Sequence, residues 1–446
     1  MSALIEGESR MPSRTATLAV EDSEKKLQKT EVTEGEPTSS GPDYPEGGLQ
    51  GWATVVGAFC IQICGFGYTS SFGVYQDYYV RVYLVNESSS SISWIGSLNS
   101  FFVVAGGLVA GHFYDHGHFR AIMTVGSFML CFGLFMLSLA KPDQYYQIIL
   151  SQSLCSGIGA GLIYIPSIAI ISQYFHRRRV LAMAIVATGS SFGSIVHPIM
   201  LNNTLYTSLG FGNSVRASAG MVAGLLVVGN VLMRTRLPPN GQTIALLPAI
   251  KKFSHDSAYV FAALGMVCVF IGFFYPIYYL QLMAIEHGLS SSFAFYSLVI
   301  LNFSSLVGRL SSGFIAHSIG VPVTITSASL VCGAVIMGMI GVKDVAGVVL
   351  VGIFFGYAAG AYIGINVALL AGLADDMSEV GYVRVPCSPI GSLIGAPICG
   401  ALLGDDYAWW KASVFCGIMV FAGTGFLVAM CVVLCKRGKL LPRSHS

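Results

Sequence analysis

Apolar stretches of membrane-spanning length recur about twelve times along the chain. They lie at approximately residues 52–76, 92–113, 120–140, 145–171, 180–201, 216–233, 257–282, 293–316, 321–341, 345–370, 385–403 and 410–435. A helix needs roughly 20 mostly apolar residues to cross the hydrocarbon of a bilayer. These runs are apolar on all sides, whereas a membrane barrel would show alternating segments of about ten residues. They predict helices, which satisfy their backbone polar groups within the segment. The connections are short, with one exception. Residues 234–256, RTRLPPNGQTIALLPAIKKFSHD, separate six spans from six. The expected fold class is all-α membrane protein, with twelve transmembrane helices in two six-helix bundles. The bundles fall at 44–233 and 257–435, joined by a cytosolic linker at 234–256. Residues 1–43 and 436–446 read as cytosolic tails. The first tail is rich in Glu, Ser, Thr and Lys and is predicted to be disordered. No signal peptide opens the chain, so the first span is expected to act as an uncleaved signal anchor.

Composition excludes a soluble alternative. Only 10% of the 446 residues are charged, against about a quarter in soluble proteins, and the mean hydropathy is +0.70. The net charge of +2 is small and shows no nucleic-acid footprint. The eleven cysteines fall inside apolar runs, where they read as small buried hydrophobes rather than a disulfide framework. Cys435, beside Lys436 and Arg437, carries a weaker reading as a palmitoylation site.

Basic residues orient the spans. With the N-terminus in the cytosol, thirteen Lys and Arg fall in inner loops and the C-terminal tail, against five in outer loops. The basic run from His176 to Arg179 fixes topology; anionic lipid headgroups or acids of a neighbouring loop are its alternative partners. Asn-X-Ser/Thr sequons at Asn86 and Asn202 fall in the outer connections this orientation predicts, which makes both glycosylation candidates. The sequon at Asn302 is mid-membrane. Glycines repeat every four residues at Gly352, Gly356, Gly360 and Gly364. Such stripes let helix backbones approach closely. Packing within one bundle is the favoured reading, and a dimer face the alternative.

Between the second and third spans the chain reads GHFYDHGHFR, in which Gly111, Asp115, Gly117 and Arg120 form G-x-x-x-D-x-G-x-x-R. The glycines permit close contact, while Asp and Arg can bind the end of a facing helix and latch one side of the bundle. An ordinary polar turn is the bland alternative. His112, His116 and His118 open a metal reading, but the remaining histidines are scattered singly, so no metal is expected. The turn resembles the signature of the major facilitator superfamily. Its counterpart in the second half, GRLSSGFIAHSIG, keeps Gly313 and Gly320 and places His317 at the acid position. The repeat supports two related halves. PEGGLQGW at 45–52 and YFHRRRVLAMAIVATGSSFGSIVHPIM at 174–200 resemble the fungal form of the monocarboxylate-porter-like branch. The resemblance spans about residues 43–435.

Arg309 lies deep in the apolar eighth span, within NFSSLVGRLSSG. A central guanidinium costs about 2.5–3.5 kcal/mol on insertion scales, and is tolerated where it faces a wet cavity or a partner. The resemblance implies that Arg309 engages a substrate carboxylate. Two departures stand beside it. Ser305 occupies the position of the acid one turn earlier, and Ser70 that of a first-span lysine that couples protons. Ser305 and Ser70, with the other intramembrane polar groups Gln62, Asn99 and Asn302, are candidates for the same site. His197 in the fifth span is the best titratable candidate for proton coupling, with a structural histidine as the alternative. Tyr275 and Pro276 predict a kink in the seventh span.

The sequence thus reads as a secondary transporter that moves a small organic acid or related acidic metabolite by alternating access. An efflux carrier for a secondary metabolite made by the same cell is the alternative. A non-transporting sensor, from a different class, would be expected to carry a larger soluble domain. No catalytic cluster assembles, so an enzyme is not expected. No phosphate loop is present, so a gradient is the expected energy source. The expected partners are a small-molecule organic anion or metabolite, membrane lipid and protons, with no cofactor. The plasma membrane is the expected location.

Overall fold

The computed structural model describes residues 47–175, 178–236, 255–373, 388–404 and 406–438. The tail at 1–43, the linker interior at 237–254, His176 and Arg177 of the basic run, and the last eight residues of the C-terminal tail lie outside the described residues.

Twelve helices order the described chain: α1 (Gly48–Tyr83), α2 (Ser89–Asp115), α3 (Phe119–Leu137), α4 (Tyr145–Gln173), α5 (Arg179–Leu205), α6 (Gly210–Leu232), α7 (Ser257–Glu286), α8 (Ser291–Ile319), α9 (Val321–Gly338), α10 (Val345–Leu373), α11 (Ser388–Leu403) and α12 (Trp409–Lys436). Eleven of them are long and apolar enough to cross a membrane, and α11 is a shorter apolar helix. The expected run pattern is recovered. The main difference is length: α1 continues to Tyr83, past the expected end at 76, through π-helical turns at Ile63–Gly67 and Tyr79–Tyr83. Aromatic and polar residues 77–83 interrupt the apolar run there without interrupting the helix.

Local chemistry starts and stops these helices. Ser88, Asp256 and Ser290 accept backbone amides at the starts of α2, α7 and α8, satisfying donors that a helix start leaves free. Gly117 (φ 83°) and Gly320 (φ 90°) end α2 and α8 in the left-handed region, where a Cβ is disfavoured. The same device stands at matching places in the two halves.

Within the first half, α1 packs on α5 and α6, and α4 on α2 and α3; within the second, α7 packs on α11 and α12, and α10 on α8 and α9. The halves meet along α1–α7, α2–α11 and α5–α8. Glycine sets the closest of these contacts. A Cβ on Gly356 or Gly360 of α10 would lie within 3.0 Å of the Leu301 or Ser305 carbonyl oxygen of α8, and one on Gly308 of α8 would strike the Tyr357 carbonyl of α10. The four-residue stripe is therefore intrabundle packing, and it seats the helix that carries Arg309.

The face carrying the α2–α3 turn and the start of α1 is termed near, and the opposite face far. On the far side the bundles are joined by hydrogen bonds. Tyr278 meets Ser100 (2.7 Å), Tyr279 meets Ser93, Ser90 donates to the Pro397 carbonyl (2.8 Å), and Gln281 donates to Asp77 (3.0 Å). The far side is closed.

Candidate functional site: a cavity at the bundle junction

Where α1, α7, α8 and α10 converge, a narrow cavity is lined by Phe66 and Ser70 of α1, Phe273, Phe274 and Ile277 of α7, Leu301, Asn302, Ser305 and Arg309 of α8, and Ala359 and Ile363 of α10. With the far side closed its free space is small, about 10 Å³, or roughly one water molecule. Four residues predicted from sequence, Ser70, Asn302, Ser305 and Arg309, share this cavity. On α8 they follow helical spacing, since 302, 305 and 309 fall on one face. The glycine stripe behind that face holds it against α10.

Arg309 does not face lipid. Its Nη1 donates to Ser190 Oγ and, at 3.4 Å, to the Ala187 carbonyl, both on α5 of the opposite bundle. The guanidinium lies 5.9 Å from the centre of the Phe66 ring, a distance at which cation–π attraction contributes. Its Nε is buried with no hydrogen-bond partner among the described residues, and no described acid pairs with it. A cation so placed is half satisfied by neutral oxygens and retains a donor for an incoming acceptor. Asn302 spends one amide proton on the Leu298 carbonyl of its own helix (2.9 Å). The Tyr362 hydroxyl of α10 is buried and has no partner among the described residues.

Gln62 and Asn99 are placed elsewhere. Gln62 donates to the Tyr164 carbonyl (3.2 Å) and Ser167 Oγ (3.0 Å), tying α1 to α4. Asn99 donates to the Gln152 carbonyl (2.7 Å) and accepts from Thr69 (2.8 Å), knotting α1, α2 and α4. Both are spent inside the first bundle, and neither is on the cavity wall. His197 is fully buried where α5 crosses α1, edge-on to Tyr68 at 5.3 Å and 89°. It too is off the cavity wall.

Asn86 is exposed in the α1–α2 connection. Asn202 is a correction: it lies within α5 rather than in a loop, exchanging amide hydrogen bonds of 3.2 and 3.4 Å with Gln281 across the bundle interface. Hydrogen bonding at that interface carries the helix past the end of the apolar run at 201. In the α2–α3 turn, Asp115 and Arg120 form no salt bridge with any described residue. Gly111 lies inside α2 with no atom within 4 Å of where a Cβ would stand, so the close contact expected of it is not made among the described residues, and Gly117 stands at the stop of the helix. His116 Nδ1 lies 2.8 Å from the His112 carbonyl, and among the described residues no three metal-ligating side chains gather.

Sequence reasoning missed Phe66 and Ser190. Phe66 is one more aromatic in an apolar run. Ser190 belongs to the Gly-Ser-Ser of the fifth span and carried the signal of a small packing residue only.

Two bundles of six helices around a central polar spot, closed on one side, define a membrane carrier. The profile of the Major Facilitator Superfamily matches residues 54–383, and the chain belongs to that superfamily. It is 36% identical over 401 residues to the MFS transporter asaE of Aspergillus flavus, covering 88% of this chain and 89% of that protein. It is 34% identical to an aspyridones efflux protein, apdF, of Emericella nidulans (89% and 81% covered), and 33% identical to an agnestins efflux protein of Paecilomyces divaricatus (84% and 86%). A solved structure of the nucleoside transporter NupG superposes with a TM-score of 0.66 at 13% identity, covering 85% of this chain and 99% of that one, which supports the fold. The chain is a multi-pass membrane transporter, not an enzyme.

Proposed function

We propose that this transporter exports a secondary metabolite from the cell that makes it, and that the cargo has an apolar, flat or extended body with one acidic or carbonyl-rich group. The relatives named as efflux proteins support the direction. The observation that carries the cargo class is the composition of the cavity wall. Three phenylalanines, Phe66, Phe273 and Phe274, face one arginine that keeps a free donor. A small hydrophilic acid would have little use for that aromatic wall, whereas an aromatic or polyene body would stack on it. The monocarboxylate-porter-like branch fits this reading at the arginine and departs from it at Ser305 and Ser70. The positive bias supports a cytosolic near face in the plasma membrane. Cargo would then enter from the cytosol, bind Arg309 in place of Ser190, and leave once the far side parts, driven by a gradient in which protons are the proposed counter-ion.

The test is metabolite profiling of the source cell with and without the gene. The expected result is a product retained in cells lacking the gene and restored to the medium by the parent chain but not by Arg309→Gln. Unchanged medium and cell extracts would remove the export reading.

A further inference from the structure

A second cavity, of about 330 Å³, opens at the near end of the first bundle, between α3 and α6 and away from the central site. Two guanidiniums border it, Arg120 in the first turn of α3 and Arg234 two residues past the end of α6. Both side chains are exposed, and among the described residues neither forms a salt bridge. The frame around them is built. The Tyr174 hydroxyl donates to the Arg234 carbonyl (2.6 Å), and Asn230 Nδ2 donates to Ser127 Oγ (2.8 Å), tying α6 to α3 at the cavity. The start of α3 adds the positive end of a helix dipole to the two cations.

Beyond the cavity lining, exposed apolar side chains follow on both helices. Arg120, Thr124, Phe128 and Phe132 follow one another at four-residue spacing, which places them on one stripe of α3. Phe128 and Phe132 stack at 5.9 Å, and Phe128 is 67% exposed. On α6, Val227 and Val231 are 64% and 66% exposed and lead up to Arg234. Two cations without a salt bridge at a cavity, with exposed apolar side chains further along the same two helices, match one ligand chemistry: a phosphodiester head on acyl chains.

We propose that this crevice binds an anionic membrane phospholipid, its phosphate between Arg120 and Arg234 and a chain along Phe128, Phe132 and Val227. The site holds α3 against α6 from outside the bundle. Arg120, read from its motif as part of a latch, here has a lipid partner.

The test uses the purified full chain in mild detergent, stripped of lipid and titrated with fluorescent phosphatidylserine or phosphatidylcholine. The parent is expected to prefer phosphatidylserine by at least about tenfold, from two basic residues acting together. Arg120→Gln with Arg234→Gln should abolish the preference. Thr124→Trp, which fills the crevice and keeps both arginines, should weaken phosphatidylserine binding to a similar degree. Millimolar inorganic phosphate should leave the lipid bound. The proposal is overturned if the double variant keeps the preference, if Thr124→Trp binds like the parent, or if inorganic phosphate displaces the lipid, which would make this a free-phosphate site.

Discussion

Gln281 of α7 donates its side-chain amide to the buried carboxylate of Asp77 in α1, 3.0 Å away, and pairs with Asn202 of α5 through the same amide. Asp77 also accepts Arg81 at 2.6 and 2.7 Å and the Tyr206 hydroxyl at 2.8 Å. The charge is thus fully compensated inside the first bundle, and Gln281 is the second bundle's hold on it. A carrier that alternates must break this hold each time the far side opens. A hydrogen bond to a charged group is worth about 1.5–3 kcal/mol, enough to shift a two-state balance roughly tenfold or more. Gln281→Leu is therefore expected to favour the far-side-open state. In a cysteine-depleted chain carrying Ser93→Cys, maleimide labelling from the far side should speed up about tenfold. An unchanged rate would mean that the clasp does not hold the closed state.

Much of this architecture is legible in the sequence, because lipid forces every span to be a long apolar helix. Arg309 was legible because a guanidinium within a span is costly, Asn302 as a polar group in the same span, and Ser305 and Ser70 because the family resemblance drew attention to those two positions. Gln62 and Asn99 were not. A polar residue within a span announces that it is satisfied and leaves its partner unnamed. Part of the answer lies in irregular backbone. The Gln152 carbonyl that holds Asn99 belongs to a π-helical stretch, Ile149–Cys155, where the regular i→i−4 ladder is broken. Nothing in ILSQSLC marks that break. The Asp77–Gln281 clasp was equally hidden. It joins residues 204 positions apart, and only the packing of α1 on α7 brings them together.

The glycine stripe gives a sharper test of how the site is seated. A valine at Gly360 would drive its side chain into the Ser305 carbonyl of α8. Overpacking of this kind costs about 1–3 kcal/mol, and more where only backbone is in the way. Gly360→Val should lower the melting temperature in detergent and abolish transport, because α8 carries Arg309 with it. Gly313→Ala is the control. No atom lies within 4 Å of a Cβ there, and alanine is the better helix former by about 1 kcal/mol, so stability should hold or rise. Equal melting of Gly360→Val and parent would show that the close approach is not needed.

Arg309 and Ser190 can be separated by substitution. Arg309→Gln keeps hydrogen-bonding capacity and removes the charge, and transport of a verified acidic cargo in vesicles should fall at least about tenfold, as expected for loss of a charge-assisted contact. Ser190→Ala removes a competitor for the guanidinium and leaves the charge free. Cargo should bind Ser190→Ala more tightly than parent, by up to about tenfold on the same scale. A verified cargo that moves equally well with Arg309 and with Gln at that position would show that the guanidinium is not a substrate group.

His197 offers a test of proton coupling from the other side. Its ring is fully buried against Tyr68, off the cavity wall, at a crossing where Gly193 of α5 rides on Ile63 and Gly67 of α1. A proton carrier must meet water on each side in turn, and this position meets none while the far side is closed. Packing alone asks for a flat ring of this size, which phenylalanine supplies. His197→Phe should therefore melt within a few degrees of the parent and show the same dependence of vesicle transport on an imposed pH gradient. If the substitution folds and the gradient no longer matters, the imidazole is the coupling group, and the crossing of α1 and α5 must open during the cycle to let water reach it.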